Sequence, residues 1–277
     1  MEIILAKNAG FCWGVKRAMD IVLKTAESAS GRTFTYGPLI HNQEVVDALA
    51  QKGIQPRDDF GGIREGTVII RTHGMPPKVK KDLQKKGLKL VDATCPHVSK
   101  TQKEVEKHYK KGYTVVIVGD LKHAEVISLS GHSDDRAFVV SSLEEAERLN
   151  VLPPVLIVAQ STFNKEIFHQ IVEYYKKKFG SVNVFNSICR SATNRQKEVL
   201  ELAKEVDAMI VVGGASSANT KRLVQISEST GVPTYYAETA KHLDVKKLKK
   251  FKKVGVTAGA STPDWVINEI IEKLKKL

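Results

Sequence analysis

Residues 2–26 of the 277-residue chain read EIILAKNAGFCWGVKRAMDIVLKTA and decide the fold class. The run at 2–6 has the length and composition of a β-strand. After Gly14, apolar residues recur at intervals of three and four, which is one stripe of an amphipathic helix. These residues are Val15, Ala18, Met19, Val22, Leu23 and Ala26. The stretch therefore predicts a strand, a short junction and a helix, which together form the building unit of α/β proteins.

The same alternation of β-rich runs and amphipathic stretches continues to the end of the chain. Prolines at 77, 96 and 263 stand where helices are expected to begin, and a proline is tolerated there because its missing N–H has no partner in the first turn. The pattern predicts an α/β protein with mainly parallel sheets. The predicted strands lie near 2–6, 33–36, 67–72, 88–92, 113–118, 155–159, 182–185, 207–212, 233–236 and 253–257.

The composition excludes two broad classes of protein. With 42% apolar and 27% charged residues, the chain lacks the low hydrophobicity that is typical of disordered proteins. No apolar run approaches the roughly 18 residues that a membrane span requires. The N-terminus has no basic leader followed by an apolar stretch of signal-peptide length, so we expect a cytoplasmic protein.

The chain is basic, and the basic residues are mostly lysine. Its 43 Lys and Arg residues exceed 31 Asp and Glu, which gives a formal charge of +12, and only 10 of the basic residues are Arg. Surfaces that read nucleic-acid bases favour Arg forks and aromatic stacking, whereas the lysines here form runs such as 176–178. We interpret these runs as solvated faces rather than a nucleic-acid site. Their field would attract a small polyanionic substrate.

Three cysteines, Cys12, Cys95 and Cys189, follow predicted strands at intervals of 83 and 94 residues. Their wide spacing and odd number argue against a disulfide framework. One cysteine in each third of the chain suggests three α/β units of about 90 residues that point their strand ends at a shared centre. Each cysteine taken alone is more easily explained as a small buried apolar residue, but three at matching junctions favour a metal site.

The number of cysteines bears on which metal group they hold. Thiolates suit zinc or iron–sulfur clusters. Structural zinc sites usually draw cysteines in close pairs, and no such pair is present in this sequence. An iron–sulfur cube normally takes four cysteines, so three would leave one iron open to a substrate. The hypothesis is therefore a catalytic rather than an electron-carrying centre.

Histidines and one glutamate occupy further strand-to-helix junctions. His41, His73 and His123 lie beside Gly or Pro or at a predicted helix start, where helix N-termini also supply N–H groups for an anion. Together they predict a cradle for a phosphate or diphosphate, although any one of them could be a simple cap. Glu125 is the acid nearest to this group and is either a first-turn charge or a buried proton donor. The remaining histidines, on helical or variable stretches, are His97, His108, His132, His169 and His242.

Two segments of small residues, 213–220 and 258–262, complete the candidate site. Small residues let the backbone and hydroxyl groups approach an anion closely. Neither segment matches the P-loop or the dinucleotide-binding fingerprint. Each could also be an ordinary turn with Ser or Thr as the helix cap.

Over its full length the sequence closely resembles the 4-hydroxy-3-methylbut-2-enyl diphosphate reductases of the methylerythritol phosphate isoprenoid pathway. The resemblance implies three small α/β units with mainly parallel sheets around a pseudo-threefold axis and a central iron–sulfur cluster. We assign these units to 14–95, 96–189 and 190–277, joined by the N-terminal strand in 1–13. The matching segments are 9–15, 40–42, 72–74, 92–96, 123–126, Cys189 with 192–196, and 257–264.

The resemblance also implies a role for each candidate residue. Cys12, Cys95 and Cys189 would hold one [4Fe–4S] cluster per chain, and Glu125 would relay the proton that lets the substrate hydroxyl leave as water. The reaction would use two electrons and two protons to convert the allylic substrate into isopentenyl and dimethylallyl diphosphate. A ferredoxin or flavodoxin would donate the electrons, with neither a membrane nor a nucleic acid as partner. Substrate-binding residues would be His41, His73, His123, Ser161, Thr162, Ser217, Ala218, Asn219 and Ser261.

Two departures from the family pattern and two rival functions remain open at this stage. Ser161 replaces the first of two threonines that the family usually has, and it keeps the hydroxyl. Ala215 and Ser216 replace a Lys-Asn pair, so the loop has one positive charge and one amide fewer.

An open-iron dehydratase that needs no reductant would share the same cluster. A basic nucleic-acid-binding protein with structural zinc is the rival from another class.

Overall fold

The computed structural model describes residues 1–29 and 31–277. In these residues, twelve strands form three four-stranded sheets, and every strand pair is parallel. This arrangement confirms the predicted α/β fold. The chain divides into two compact units. The first contains Met1–Arg17, Ile40–Gln51 and Arg190–Leu277, and the second contains Ala18–Leu39 and Lys52–Cys189.

Strands and helices alternate along the chain. The strands are β1 (Glu2–Leu5), β2 (Thr33–Tyr36), β3 (Ile54–Arg57), β4 (Thr67–Ile70), β5 (Lys89–Asp92), β6 (Thr114–Val118), β7 (Phe138–Val140), β8 (Val155–Ala159), β9 (Asn183–Phe185), β10 (Ala208–Val212), β11 (Thr234–Ala237) and β12 (Lys253–Ala258). The helices are α1 (Trp13–Ser28), α2 (Gln43–Gln51), α3 (Pro77–Lys85), α4 (Pro96–Tyr109), α5 (Ala124–Gly131), α6 (Leu143–Arg148), α7 (Lys165–Phe179), α8 (Arg190–Leu202), α9 (Ala218–Ser229), α10 (Val245–Leu248) and α11 (Asp264–Lys275), with a short 3₁₀ helix at Ala240–His242.

All three sheets repeat one strand order. The first unit has the order β1-β12-β10-β11, and the second unit has β5-β4-β2-β3 and β9-β8-β6-β7. In each case an edge strand that leads to a cysteine is followed by two central strands and a second edge strand. Parallel strands place their carboxyl ends at one edge of the sheet, so the loops after neighbouring strands lie side by side.

The central strands are buried and apolar, as in parallel sheets covered on both faces. Every residue of β8 and β10 is buried. Helix α7 packs Phe168 and Ile171 into the core around β6 and β8, and α11 packs Ile267 and Ile270 into the core around β10 and β12. These cores fix the position at which each strand ends and its loop begins.

The ten predicted strands are all present, with ends that differ by at most two residues. The stripe predicted for α1 is also confirmed, since Val15, Ala18 and Val22 are buried. Two edge strands, β3 and β7, escaped prediction. Strand β3 contains Pro56, which lacks a donor for the sheet, and β7 has only three residues.

The division at 14–95, 96–189 and 190–277 stays a prediction. Each range contains the strands of one sheet, and β1 joins the sheet of the last range.

Candidate active site

Each cysteine occupies the same local position in its own sheet. A helix begins directly after each one, α1 after Cys12, α4 after Cys95 and α8 after Cys189. Each cysteine also donates its backbone N–H to the loop that follows the neighbouring strand. The acceptors are the carbonyl groups of Ala260 at 3.1 Å, Thr72 at 3.0 Å and Ser161 at 2.8 Å for the three cysteines in chain order.

The cysteine side chains suit a metal group. None of the three forms a disulfide, and each is half-buried rather than sealed in a core. Thiolates are the ligands that iron–sulfur clusters require. The donor chemistry and the repeated position therefore fit the predicted cluster.

Two of the predicted histidines lie together in the second unit. The rings of His73 and His123 meet edge to face with centroids 5.3 Å apart, and each offers a ring nitrogen within 4.8 Å of the other's. His123 also caps α5, because its Nδ1 accepts the backbone N–H of Glu125 at 3.2 Å. The loops after β4 and β6 thus bring two imidazoles to one edge of the unit.

Glu125 is a buried carboxyl held by Ser161. Its side chain is almost fully buried, and the N–H and hydroxyl of Ser161 donate to its two oxygens at 2.8 and 2.7 Å. Burial raises the pKa of Glu125, while the bonds from Ser161 and the nearby His97 partly offset this effect. Ser161 is also the residue whose carbonyl accepts the N–H of Cys189. One residue therefore joins a protonatable carboxyl to a candidate metal ligand.

Thr162 belongs to a second hydrogen-bonded group in the same loop. Its hydroxyl accepts from the side-chain amide of Gln160 at 3.1 Å, and Gln160 accepts the backbone N–H of Asp120 at 3.0 Å. The loops after β6 and β8 are thereby tied to each other, which fixes the relative position of Glu125 and Ser161.

In the first unit, small residues surround the start of α9. Ser217 caps this helix by accepting the N–H of Thr220 at 3.3 Å. The hydroxyl of Ser261 lies 3.4 Å from both the hydroxyl of Ser217 and the carbonyl of His41. A Cβ on Gly214 would lie 2.7 Å from the same carbonyl, so a glycine is needed for this close approach.

Asn219 is the clearest sign of a ligand in this group. It lies in the first turn of α9, directly after Ala218, and is only 5% exposed. Neither atom of its side-chain amide has a hydrogen-bond partner among the described residues. Buried amides normally have partners, and a helix N-terminus attracts anions, so the arrangement suits a bound anion. Ala215 and Ser216, the residues that depart from the family loop, are exposed.

Sequence reasoning missed a pair of charged residues on α8. Arg195 is 4% exposed and donates from Nη2 to the carbonyl of Gly10 at 2.7 Å. Glu198, one turn later, accepts the backbone N–H groups of Lys7 and Asn8. Both side chains therefore form hydrogen bonds with the backbone of the loop that leads to Cys12. An arginine within the buried helical stripe Ala192, Arg195, Val199 and Leu202 was the available signal.

The position of His97 on a predicted helix gives no sign of its contact near Cys189. Its Nε2 donates to the carbonyl of Ser187 at 2.6 Å, which links the first turn of α4 to the segment just before Cys189. The hydroxyl of Ser187 in turn bonds the backbone N–H and carbonyl of Ala159 at the end of β8.

The sheets define an α/β protein, and these residues form a candidate metal site of three thiols and a candidate anion site. The LytB protein family model matches residues 3–275, and the chain belongs to this family. A curated relative from Geobacter sulfurreducens, named 4-hydroxy-3-methylbut-2-enyl diphosphate reductase, is 46% identical over 276 residues, covering 100% of this chain and 98% of the relative.

Two solved structures support the fold. One, described as the E-1-hydroxy-2-methyl-but-2-enyl-4-diphosphate reductase from Plasmodium falciparum, has a TM-score of 0.91 at 30% identity and covers 98% of this chain and 87% of that chain. Another is described as (E)-4-hydroxy-3-methyl-but-2-enyl diphosphate reductase, the terminal enzyme of the non-mevalonate pathway. It has a TM-score of 0.76 at 40% identity over 100% of both chains. No helix in the described part of the chain combines the length and the apolar character that crossing a membrane would need.

Proposed function

We propose that the chain reduces 4-hydroxy-3-methylbut-2-enyl diphosphate to isopentenyl and dimethylallyl diphosphate. The C–O bond of the allylic alcohol breaks, its hydroxyl leaves as water, and two electrons and two protons are consumed. The names of full-length relatives support this activity. The observation that carries the proposal is the linkage of Glu125 through Ser161 to Cys189, since it joins a proton donor to a candidate cluster ligand.

Cys12, Cys95 and Cys189 would hold one [4Fe–4S] cluster. When bound, this group would pass on the electrons from the donor protein and would provide Lewis-acid chemistry for loss of the substrate hydroxyl. The three half-buried cysteines, none of them in a disulfide, support this assignment, because the cluster needs thiolate ligands. The three backbone bonds from the cysteine N–H groups hold the ligand loops against their neighbouring strands.

Glu125 donates the proton that converts the leaving hydroxyl into water. A buried carboxyl with a raised pKa keeps its proton to higher pH than an exposed one, which suits a general acid. Ser161 holds both carboxyl oxygens and so fixes the direction from which the proton arrives. Thr162 lies in the same loop and contributes its hydroxyl to the substrate-binding surface.

The diphosphate is bound without a divalent metal. Asn219 donates its unpaired amide N–H, Ser217 and Ser261 contribute hydroxyl groups, and the backbone at Ala218 contributes the N-terminus of α9. The imidazoles of His41, His73 and His123 would offset the negative charge.

The cellular setting follows from the same assignment. We place the enzyme in the cytoplasm, with a ferredoxin or flavodoxin as the electron donor and with no membrane or nucleic-acid partner. The formal charge of +12 favours association with acidic electron carriers.

Turnover by Glu125→Gln tests the proposal. The variant should keep its iron and sulfide content and its affinity for inorganic diphosphate but lose turnover by about 100-fold or more, since it cannot donate the proton. Unchanged turnover would remove Glu125 from the reaction.

The control is Glu145→Gln. Glu145 is also held by the N–H and hydroxyl of one serine, Ser141, but it lies at the surface. Its variant should keep wild-type turnover, so a loss in both variants would trace the effect to protein stability. Product formed without any reductant would favour the dehydratase, and zinc in place of iron would favour the rival binding protein.

A further inference from the structure

Both tryptophans of the chain are exposed, and each is close to a sequence neighbour of Cys12 or is one itself. Trp13 follows this cysteine directly and is 68% exposed. Trp265 is 44% exposed, and its ring meets that of Phe11 edge to face at 6.2 Å. Tryptophan is rarely left exposed by folding alone and is enriched among the residues that dominate protein–protein binding energy. These side chains therefore indicate a contact surface.

The two tryptophans are presented by a rigid part of the first unit. Trp13 begins α1 and Trp265 lies in the first turn of α11. The loops before these two helices contact each other. Cys12 donates its backbone N–H to the carbonyl of Ala260. Gly10 lies so close to Asp264 that an added Cβ would be 2.9 Å from a carboxyl oxygen of Asp264. A surface that is fixed before binding loses little entropy when a partner docks.

Basic side chains follow Cys12 and Cys189 in the first turns of α1 and α8, and they favour an acidic partner. Acidic residues are favoured in the first turn of a helix, yet α1, α4 and α8, all within the described residues, have none there. The exposed residues Lys16 of α1 and Arg190 of α8 occupy these turns instead, and Lys100 follows Cys95 on α4 in the second unit. Asp264 is the one acid in the first turn of α11.

We propose that Trp13, Lys16, Arg190 and Trp265, called here the tryptophan surface, dock the acidic one-electron carrier protein that reduces the enzyme. This inference rests on the proposed function. Each reduced carrier gives up one electron and leaves oxidised, so two encounters supply the two electrons that one substrate consumes. A carrier docked there contacts Trp13, the direct neighbour of the candidate cluster ligand Cys12.

The test separates docking from chemistry by using two kinds of reductant. Anaerobically prepared holoenzyme is assayed with purified ferredoxin, with purified flavodoxin and with dithionite-reduced methyl viologen, which needs no docking surface. Calorimetric titration with each oxidised carrier measures binding directly. Trp13→Ala should raise the Kd and KM for the carrier by about tenfold or more, while kcat with methyl viologen stays within about twofold of wild type.

A charge variant tests the same surface without altering Trp13. Lys16→Glu combined with Arg190→Glu should weaken carrier binding most at low salt, because charges at the rim of an interface act mainly through long-range attraction. Iron content and circular dichroism check that each variant is folded and loaded. If Trp13→Ala loses iron, the charge variant still decides the question.

Matched controls are Leu152→Ala and Lys111→Glu. Leu152 is 65% exposed, and Lys111 lies just beyond the far end of α4 from Cys95. Both variants should bind the carriers like wild type. Carrier affinity that is unchanged in the tryptophan-surface variants, or a wild type that binds neither carrier, would overturn the docking proposal. A wild type that binds a carrier but gives no product with methyl viologen would instead contradict the proposed function.

Discussion

Replacing Ser161 by alanine tests how the protein controls its buried acid. The substitution removes the hydroxyl that donates to one oxygen of Glu125 at 2.7 Å and leaves the backbone N–H bond to the other oxygen at 2.8 Å. Glu125 has almost no contact with solvent, so water cannot replace the lost donor. The change therefore makes the ionised carboxyl less favourable and raises the pKa of Glu125 further.

The loss of folding stability caused by Ser161→Ala depends on whether Glu125 is ionised. A hydrogen bond to an ionised group contributes about 1.5–3 kcal/mol, against about 0.5–1.5 kcal/mol for a neutral pair. The pKa of Glu125 in the folded protein is raised above its ordinary value of 4.5. The stability that Glu125 contributes is therefore fully present below pH 4.5 and is lost as the pH rises through the pKa of the folded protein. Ser161→Ala should therefore destabilise the protein more above the folded pKa than below it.

Thermal unfolding under anaerobic, reducing conditions measures this difference. For a chain of this length, about 1.5–3 kcal/mol corresponds to a fall of about 3–5 °C in Tm. Ser161→Thr is the control, since it keeps the hydroxyl and should unfold and turn over like wild type. An equal fall in Tm for Ser161→Ala at pH values above and below the pKa of Glu125 would contradict this role of Ser161, as would an equal effect of Ser161→Thr and Ser161→Ala.

Three further predictions concern the acid, the anion site and the loop before Cys12. In wild type, kcat/KM should fall as the pH rises through the raised pKa of Glu125, and the residual activity of Glu125→Gln should not show this limb in a pH–rate profile. A limb that persists in the variant would assign the titration elsewhere. Asn219→Asp should weaken calorimetric binding of inorganic diphosphate by about tenfold or more, because it places a negative charge beside the anion, whereas Asn268→Asp at an exposed position of α11 should not. Equal affinity in both variants would contradict the anion site. Arg195→Lys should destabilise the protein by about 1–3 kcal/mol and speed loss of iron to a chelator, because the buried carbonyl of Gly10 loses its guanidinium donor, while Arg148→Lys at the surface is the control. Equal rates of iron loss in Arg195→Lys and Arg148→Lys would show that Arg195 does not hold the loop before Cys12.

Much of the fold was predictable because its signals are local. The apolar run 208–212 is a buried strand, and the stripe that begins at Val15 is one face of a helix. Both patterns follow from the periodicity of a single element. Strand β3 escaped prediction because Pro56 weakens the same local signal.

The contacts within the candidate site could not be predicted in the same way. Ser161 and Glu125 are 36 residues apart, and they meet because β6 and β8 are neighbours in their sheet. Arg195 and Gly10 are 185 residues apart. Residue types at strand ends identify candidates, but only the order of strands and the packing of α8 decide which candidates touch.

The most direct test of the account is product formation with and without reductant. Anaerobic enzyme is incubated with 4-hydroxy-3-methylbut-2-enyl diphosphate, either alone or with reduced methyl viologen, and the diphosphate products and oxidised viologen are quantified. Isopentenyl and dimethylallyl diphosphate should form only when reductant is present, with two viologens oxidised for each product molecule. Product in the absence of reductant, or viologen oxidation without product, would contradict the proposed function.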